Sequence, residues 1–132
     1  MSSKRGKKLN SSKRKEETTF RLISSVGCIH VYSEDGSTVA EASNMTTDNT
    51  YYLNRVYVKP NQRGKGMGSR ALDVMLREMR LLDATLYCEI IPYGDLDFNT
   101  LRLWYIRHGF KEYDKDGNKI LIFNYKEDIG NE

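Results

Sequence analysis

Cysteine and proline are scarce in this chain, with two of each, and no apolar run approaches the roughly 18 residues that a membrane-spanning helix needs. Cys28 and Cys88 stand far apart, without a CxxC partner or clustered histidines. That argues against a zinc site or a disulfide framework and for buried free thiols in a reducing, cytoplasmic setting. The opening residues, MSSKRGKKLNSSKRKEE, lack the hydrophobic centre of a secretory signal. Neither a metal nor a membrane is therefore expected as a partner.

What is there divides by charge. The net charge is +3, but residues 1–17 alone carry seven Lys/Arg and two Glu, a balance of +5. The rest holds 14 basic and 16 acidic side chains, so the body is mildly acidic. A Lys/Ser-rich tail whose one aliphatic residue is Leu9 cannot bury enough surface to offset its ordering entropy, and it reads as disordered. Such a tail suits nucleic acid, an acidic partner or a targeting receptor; it equally suits a purely solubilising extension. Residues 18–132 are enough for one domain with one core, and no repeat or linker divides them.

Within that body, "TTFRLIS", "GCIHVYS" and "TVAEAS" have the β-branched and aromatic content of strands, with Asp35-Gly36 as a hairpin turn. "YYLNRVYV" (51–58) is the strongest strand. Its apolar positions Leu53, Val56 and Val58 are three and then two apart, and the odd step predicts a β-bulge. Leu72, Met75, Leu76, Met79 and Leu82 make the stripe of an amphipathic helix. "ATLYCEII" (84–91) reads as a buried strand, broken by "PYGD" with Gly94-Asp95 as its turn. A second helix begins near Asp97, carries Phe98, Leu101, Trp104, Tyr105 and His108 at helical spacing, and stops at Gly109. A hairpin turning at Asp116-Gly117-Asn118 follows. The order β-β-β-β-α-β-α-β-β implies an α/β domain with a mixed, largely antiparallel sheet.

The corner between the strongest strand and the first helix, "YVKPNQRGKGMGSRAL", is rich in glycine. It lacks the GxxxxGK[ST] spacing of a P-loop. It also lacks the third glycine of a dinucleotide fingerprint, since Ser69 stands there, and no acidic residue follows at the ribose-binding distance. The general property remains: positions without side chains let backbone N–H groups approach an anion, and a helix start adds about half a positive charge. Arg63 and Lys65 flank it, and a pyrophosphate would fit.

Val58 and Pro60, followed by Arg63, Gly66 and Gly68 and by Leu72 on the helix, resemble the acetyl-CoA-binding motif of the GNAT-type N-acetyltransferases. Downstream, "LWYIRHGF" resembles the same family's Leu-Tyr-x-x-x-Gly-Phe helix, placing Tyr105, Gly109 and Phe110. The resemblance implies a GNAT-like sheet flanked by two main helices. It also implies acetyl transfer from acetyl-CoA to a primary amine by direct attack. Backbone groups near Tyr57 and Val58 would pair with the pantetheine arm, and the N–H groups of Arg63, Gly64, Lys65, Gly66, Met67, Gly68 and Ser69 would hold the pyrophosphate. Tyr105 would serve the leaving thiolate and Glu89 would be the base. A glutamate near 4.3 is a poor base, so that role requires burial. The family's other base position falls near Tyr52 and Asn54, neither a carboxylate, and would need a chain of waters.

Two departures stand out. Only about 17 residues precede the first strand, so the family's N-terminal helices, which wall the acceptor site, are expected to be missing. That favours a protein or other macromolecular acceptor, with a polyamine or an aminoglycoside-like metabolite still open and a homodimer as one way to complete the wall. The segment before Tyr105 is also longer than usual. Asn99 stands one residue past the family's helix-start asparagine, where CoA is normally touched, and Asp95 and Asp97 suit a cationic acceptor or a helix cap. Other functions compatible with the residues are a non-catalytic acyl-CoA-binding module and a nucleic-acid-associated protein anchored by its tail.

Overall fold

The computed structural model describes residues 19–44, 48–92 and 96–124. The basic tail, the Gly94-Asp95 turn and the charge on Asp95 lie outside them. The elements follow in the anticipated order. β1 (Phe20–Ser25), β2 (Cys28–Ser33), β3 (Thr38–Asn44) and β4 (Thr50–Val58) form an antiparallel meander. A 3-10 turn, Pro60–Gln62, leads to α1 (Met67–Leu82); then come β5 (Thr85–Cys88), α2 (Phe98–Arg107), β6 (Lys111–Lys115) and β7 (Asn118–Phe123). The strands form one sheet in the order β1-β2-β3-β4-β5-β7-β6, in which only β4 and β5 are parallel. The sheet is thus mixed and largely antiparallel, with two helices, as the sequence implied.

The turns close where their residues allow it. Asp116 and Gly117 both take positive φ (53° and 86°), as a two-residue hairpin loop requires. At the β2–β3 turn the Asp35 carboxylate accepts bonds from the Ser37 amide (3.0 Å) and from the Ser33 and Ser37 hydroxyls (2.7 and 2.8 Å). Those donors, the amide foremost, hold Asp35 down at about 2.

The core lies between α1 and one face of the meander. Ile29, Val31, Ala40 and Ala42 alternate along β2 and β3 and are fully buried, as are Ala71, Leu72, Met75 and Met79 on the helix. The anticipated stripe is buried only as far as Met79: Leu82, the last residue of the helix before the left-handed Asp83, is 36% exposed. Alternate residues of the strands, among them Cys28, His30 and Glu41, occupy the other face and are only half-buried.

The bulge is where the spacing placed it. Glu41 pairs with Arg55 and Ala42 with Leu53, leaving Asn54 as the extra residue. After the bulge β4 is no longer followed by β5. Their pairing stops at Tyr52↔Tyr87, and beyond it β4 pairs only with β3 among the described strands. β5 in turn stops at Cys88 rather than at residue 91, because its pairing with β7 ends at Cys88↔Leu121. The two central strands therefore part and leave an opening between them.

Candidate active site

A cavity of about 420 Å³ lies against β4 beyond the bulge, within the range of small-molecule sites. Val56 and Val58 from β4, the corner residues Arg63, Gly64, Gly66, Met67, Gly68 and Ser69, and Leu101, Trp104, Tyr105 and Arg107 from α2 are among its walls. Among the described residues the wall is basic, with two arginines and no carboxylate.

The corner is built for an anion. Gly66 caps α1 in the left-handed conformation (φ 78°) and offers no side-chain bond to the helix. The first intrahelical bond runs from the Arg70 amide to the Gly66 carbonyl (3.1 Å). The N–H groups from Gly66 to Ser69 therefore have no acceptor within the helix. Gly68 is needed for a different reason. A Cβ there would lie 3.4 Å from Val58 Cγ2 and 3.7 Å from Trp104 Cζ2, filling the floor of the cavity.

The cations behave less freely than expected. Arg63 Nε donates to the Val58 carbonyl (2.8 Å), and its guanidinium lies 5.7 Å from the centre of the Tyr57 ring. It is held against β4. Lys65 is exposed, reaches Gln62 Oε1 (3.4 Å) and does not line the cavity. The Tyr57 side chain also lies outside the cavity wall, leaving only its backbone for the anticipated pairing.

Tyr105 is 9% exposed and lines the cavity, wedged edge-on between Trp104 (5.0 Å) and Phe110 (5.3 Å). It shares a hydrogen bond with the Cys88 thiol. Burial pushes that thiol up to about 12, against the pull of the Tyr105 bond and helped by the nearby charge of Glu89. Cys88 is thus a buried neutral thiol, and its S–H reaches the Glu89 carbonyl (3.7 Å).

Two expectations need correction. Glu89 lies past the end of β5, is exposed and does not line the cavity, so the burial required of a base is absent. Asn99 is exposed on the first turn of α2, and its neighbour Thr100 lines the cavity instead. Asp97 caps the helix start by accepting from the Thr100 amide (2.8 Å). Of the other base position, Asn54 donates to Ser43 Oγ (2.7 Å) and Tyr52 stacks on Tyr87 (5.2 Å).

Residues 25–112 match the family model described as an acetyltransferase (GNAT) domain. The chain belongs to the GNAT family. Solved structures with the same fold include a GNAT acetyltransferase from Staphylococcus aureus Mu50, at 17% identity over 76% of this chain and 70% of that one, with a TM-score of 0.60. Another, from Elizabethkingia anophelis with acetyl-CoA bound, shares 10% identity over 81% and 96% of the two chains, at a TM-score of 0.59. An N-acetyltransferase from Thermoplasma acidophilum in complex with coenzyme A shares 19% over 89% and 67%, at 0.53. No curated protein matches the chain.

One part of this GNAT site had no sequence signal. Trp104 Nε1 donates to Ser69 Oγ (3.1 Å), His108 Nε2 stands 3.1 Å from the same oxygen, and His108 Nδ1 is 3.0 Å from Asp73 Oδ1. Ser69 and Asp73 are four apart on α1, as are Trp104 and His108 along α2 and its cap, so each pair shares a face. That spacing was readable; the meeting of the two faces was not.

Proposed function

We propose that this GNAT domain transfers an acetyl group from acetyl-CoA to a primary amine. The observation that carries the reading is the uncapped glycine corner opening α1 in the wall of a cavity between β4 and α2, with Tyr105 in the same wall. Donors without partners, a helix start and two arginines suit a pyrophosphate. The stretch of β4 beyond Tyr52, which β5 does not follow, suits an extended pantetheine arm.

The transfer is a direct displacement. The amine nitrogen attacks the thioester carbonyl carbon, the C–S bond breaks, the amine loses a proton and the CoA thiolate gains one. A lysine-like amine near 10.4 is neutral in only about one molecule in 2,500 at pH 7, so its proton must leave. No carboxylate stands among the described residues of the wall, and in this reading that proton passes to water. Tyr105 assists the other end. Moving a proton fully from a phenol near 10 to a thiol near 8.5 is uphill by about 2 kcal/mol. Its hydroxyl therefore works chiefly by donating a hydrogen bond as charge builds on sulfur.

The acceptor class that suits the site is a protein amine. Glu89 and Asp97 are exposed carboxylates near the segment between β5 and α2, and they offer a cationic substrate an open surface rather than an enclosed pocket. The lack of a carboxylate among the described residues of the cavity wall supports a second reading, a module that binds acyl-CoA without transferring it. The deciding experiment is CoA release from acetyl-CoA against peptides, basic proteins, polyamines and aminoglycosides. Acceptor-dependent thiol release supports transfer. A thermal shift with acetyl-CoA and no thiol release across the panel overturns it in favour of the binding module.

A further inference from the structure

We propose that His108, held by Asp73, is a positioning residue that sets whether Ser69 offers the bound pyrophosphate a hydrogen-bond donor, so that cofactor binding takes up a proton. The inference rests on the acetyl-CoA reading of the cavity.

It follows from counting donors. A serine hydroxyl has one hydrogen to give and two lone pairs. An indole N–H only donates, so Trp104 fills one lone pair of Ser69. A carboxylate only accepts, so the 3.0 Å contact to Asp73 places a hydrogen on His108 Nδ1. In the neutral ring Nε2 is then an acceptor, and at 3.1 Å it draws the Ser69 hydrogen to itself. Ser69 is left facing the cavity with no hydrogen to give to an anion.

Protonating Nε2 reverses this. The imidazolium donates at both nitrogens, to Asp73 and to Ser69, so both Ser69 lone pairs are filled and its O–H is released. Ser69 lines the cavity, so the released hydrogen serves an anion there, with a positive charge one atom behind it. Binding a pyrophosphate and binding a proton are therefore mutually favourable.

The surroundings allow the switch. His108 keeps 14% of its side chain exposed and Asp73 keeps 60%, so a proton can arrive from solvent. The charged group contacting the ring is Asp73; on α1 Arg70 precedes it by three residues and lies over the Phe20 ring (5.2 Å), Arg77 follows it by four, and Arg107 precedes the ring in sequence and lines the cavity. Arg63 lines the same cavity from the corner before α1. Arginines stay charged throughout the range in which an imidazole titrates. The three side chains share the order of a hydrolytic relay, but the Trp104 N–H occupies the serine oxygen that a nucleophile would need free.

The test is the affinity of the full chain for dephospho-CoA, which keeps the pyrophosphate but lacks the phosphate monoester that would itself titrate near pH 6. Between pH 6 and pH 8 the dissociation constant should rise about tenfold for the wild type. It should change less than about twofold for Ser69→Ala and for His108→Gln, because neither can exchange the donor. Calorimetry in buffers of different ionisation enthalpy should show net proton uptake on binding by the wild type, a readout that needs no variant to fold. Pantetheine, without phosphates, should show no pH effect. The same pH slope in the wild type and in either variant, or no proton uptake, overturns the proposal and leaves the acetyl-CoA reading standing. No binding of either CoA or dephospho-CoA at any pH overturns both.

Discussion

Gly66 and Gly68 stand two residues apart in the same motif and should fail in opposite ways when given a side chain. Gly66 has a φ of 78° and nothing within 4 Å of an added Cβ, so its cost is conformational. An L-residue in that region costs about 1–2 kcal/mol, a fall of roughly 3–8 °C in Tm for a domain of this size. Gly68 lies inside α1 with a negative φ, where alanine is favoured by about 0.5–1 kcal/mol. Its new methyl would meet Val58 Cγ2 at 3.4 Å and Trp104 Cζ2 at 3.7 Å, which is contact rather than collision. Gly68→Ala should therefore hold or raise Tm while occupying space the pantetheine arm needs, weakening CoA binding about tenfold, or about 1.4 kcal/mol. Gly66→Ala should lower Tm and change CoA affinity by less than about threefold, and Gly66→Asn should recover part of the loss because asparagine tolerates the left-handed region. Thermal melts and CoA titrations on the two alanine variants decide the matter. A Gly68→Ala protein that melts several degrees lower and binds CoA normally would refute the reasoning.

Three further outcomes are expected. Tyr105→Phe should lower turnover about tenfold or more with CoA affinity nearly unchanged, and steady-state kinetics beside a CoA titration will show whether kcat alone moves. Glu89→Gln should lower turnover by less than about threefold because the side chain is exposed; a loss of a hundredfold would restore it as the base. Asp35, held at about 2 in the folded chain against about 3.9 unfolded, contributes stability that is fully present above about pH 4 and is lost as pH falls through 2. The stability gap between the wild type and Asp35→Asn, measured by denaturant melts, should be flat above pH 5 and shrink on acidification; a gap that widens would contradict this.

How much of this was legible in the sequence depended on the range of the interaction that encodes each feature. Strand alternation, the apolar stripe of α1, the Asp97 cap and the Asp116-Gly117 turn are set within a few residues, and they stand where the residues said. The bulge was legible too, since a step of three between Leu53 and Val56 keeps both on one face only if Asn54 is extra. Its consequence was not visible in the spacing, because the parting of β4 and β5 is a property of two strands at once. Glu89 shows the cost of that gap. Its strand looked buried through residue 91 by composition, but burial ends where pairing partners end, at Cys88. The same limit hid the link between His108, Ser69 and Asp73, which joins positions 35 and 39 residues apart. Each partner was predictable on its own helix face, and only packing brings the faces within hydrogen-bond reach. The glycine motif fixes where an anion would sit, and the side chains that tune the hold on it come from the second helix, through contacts that no local pattern records.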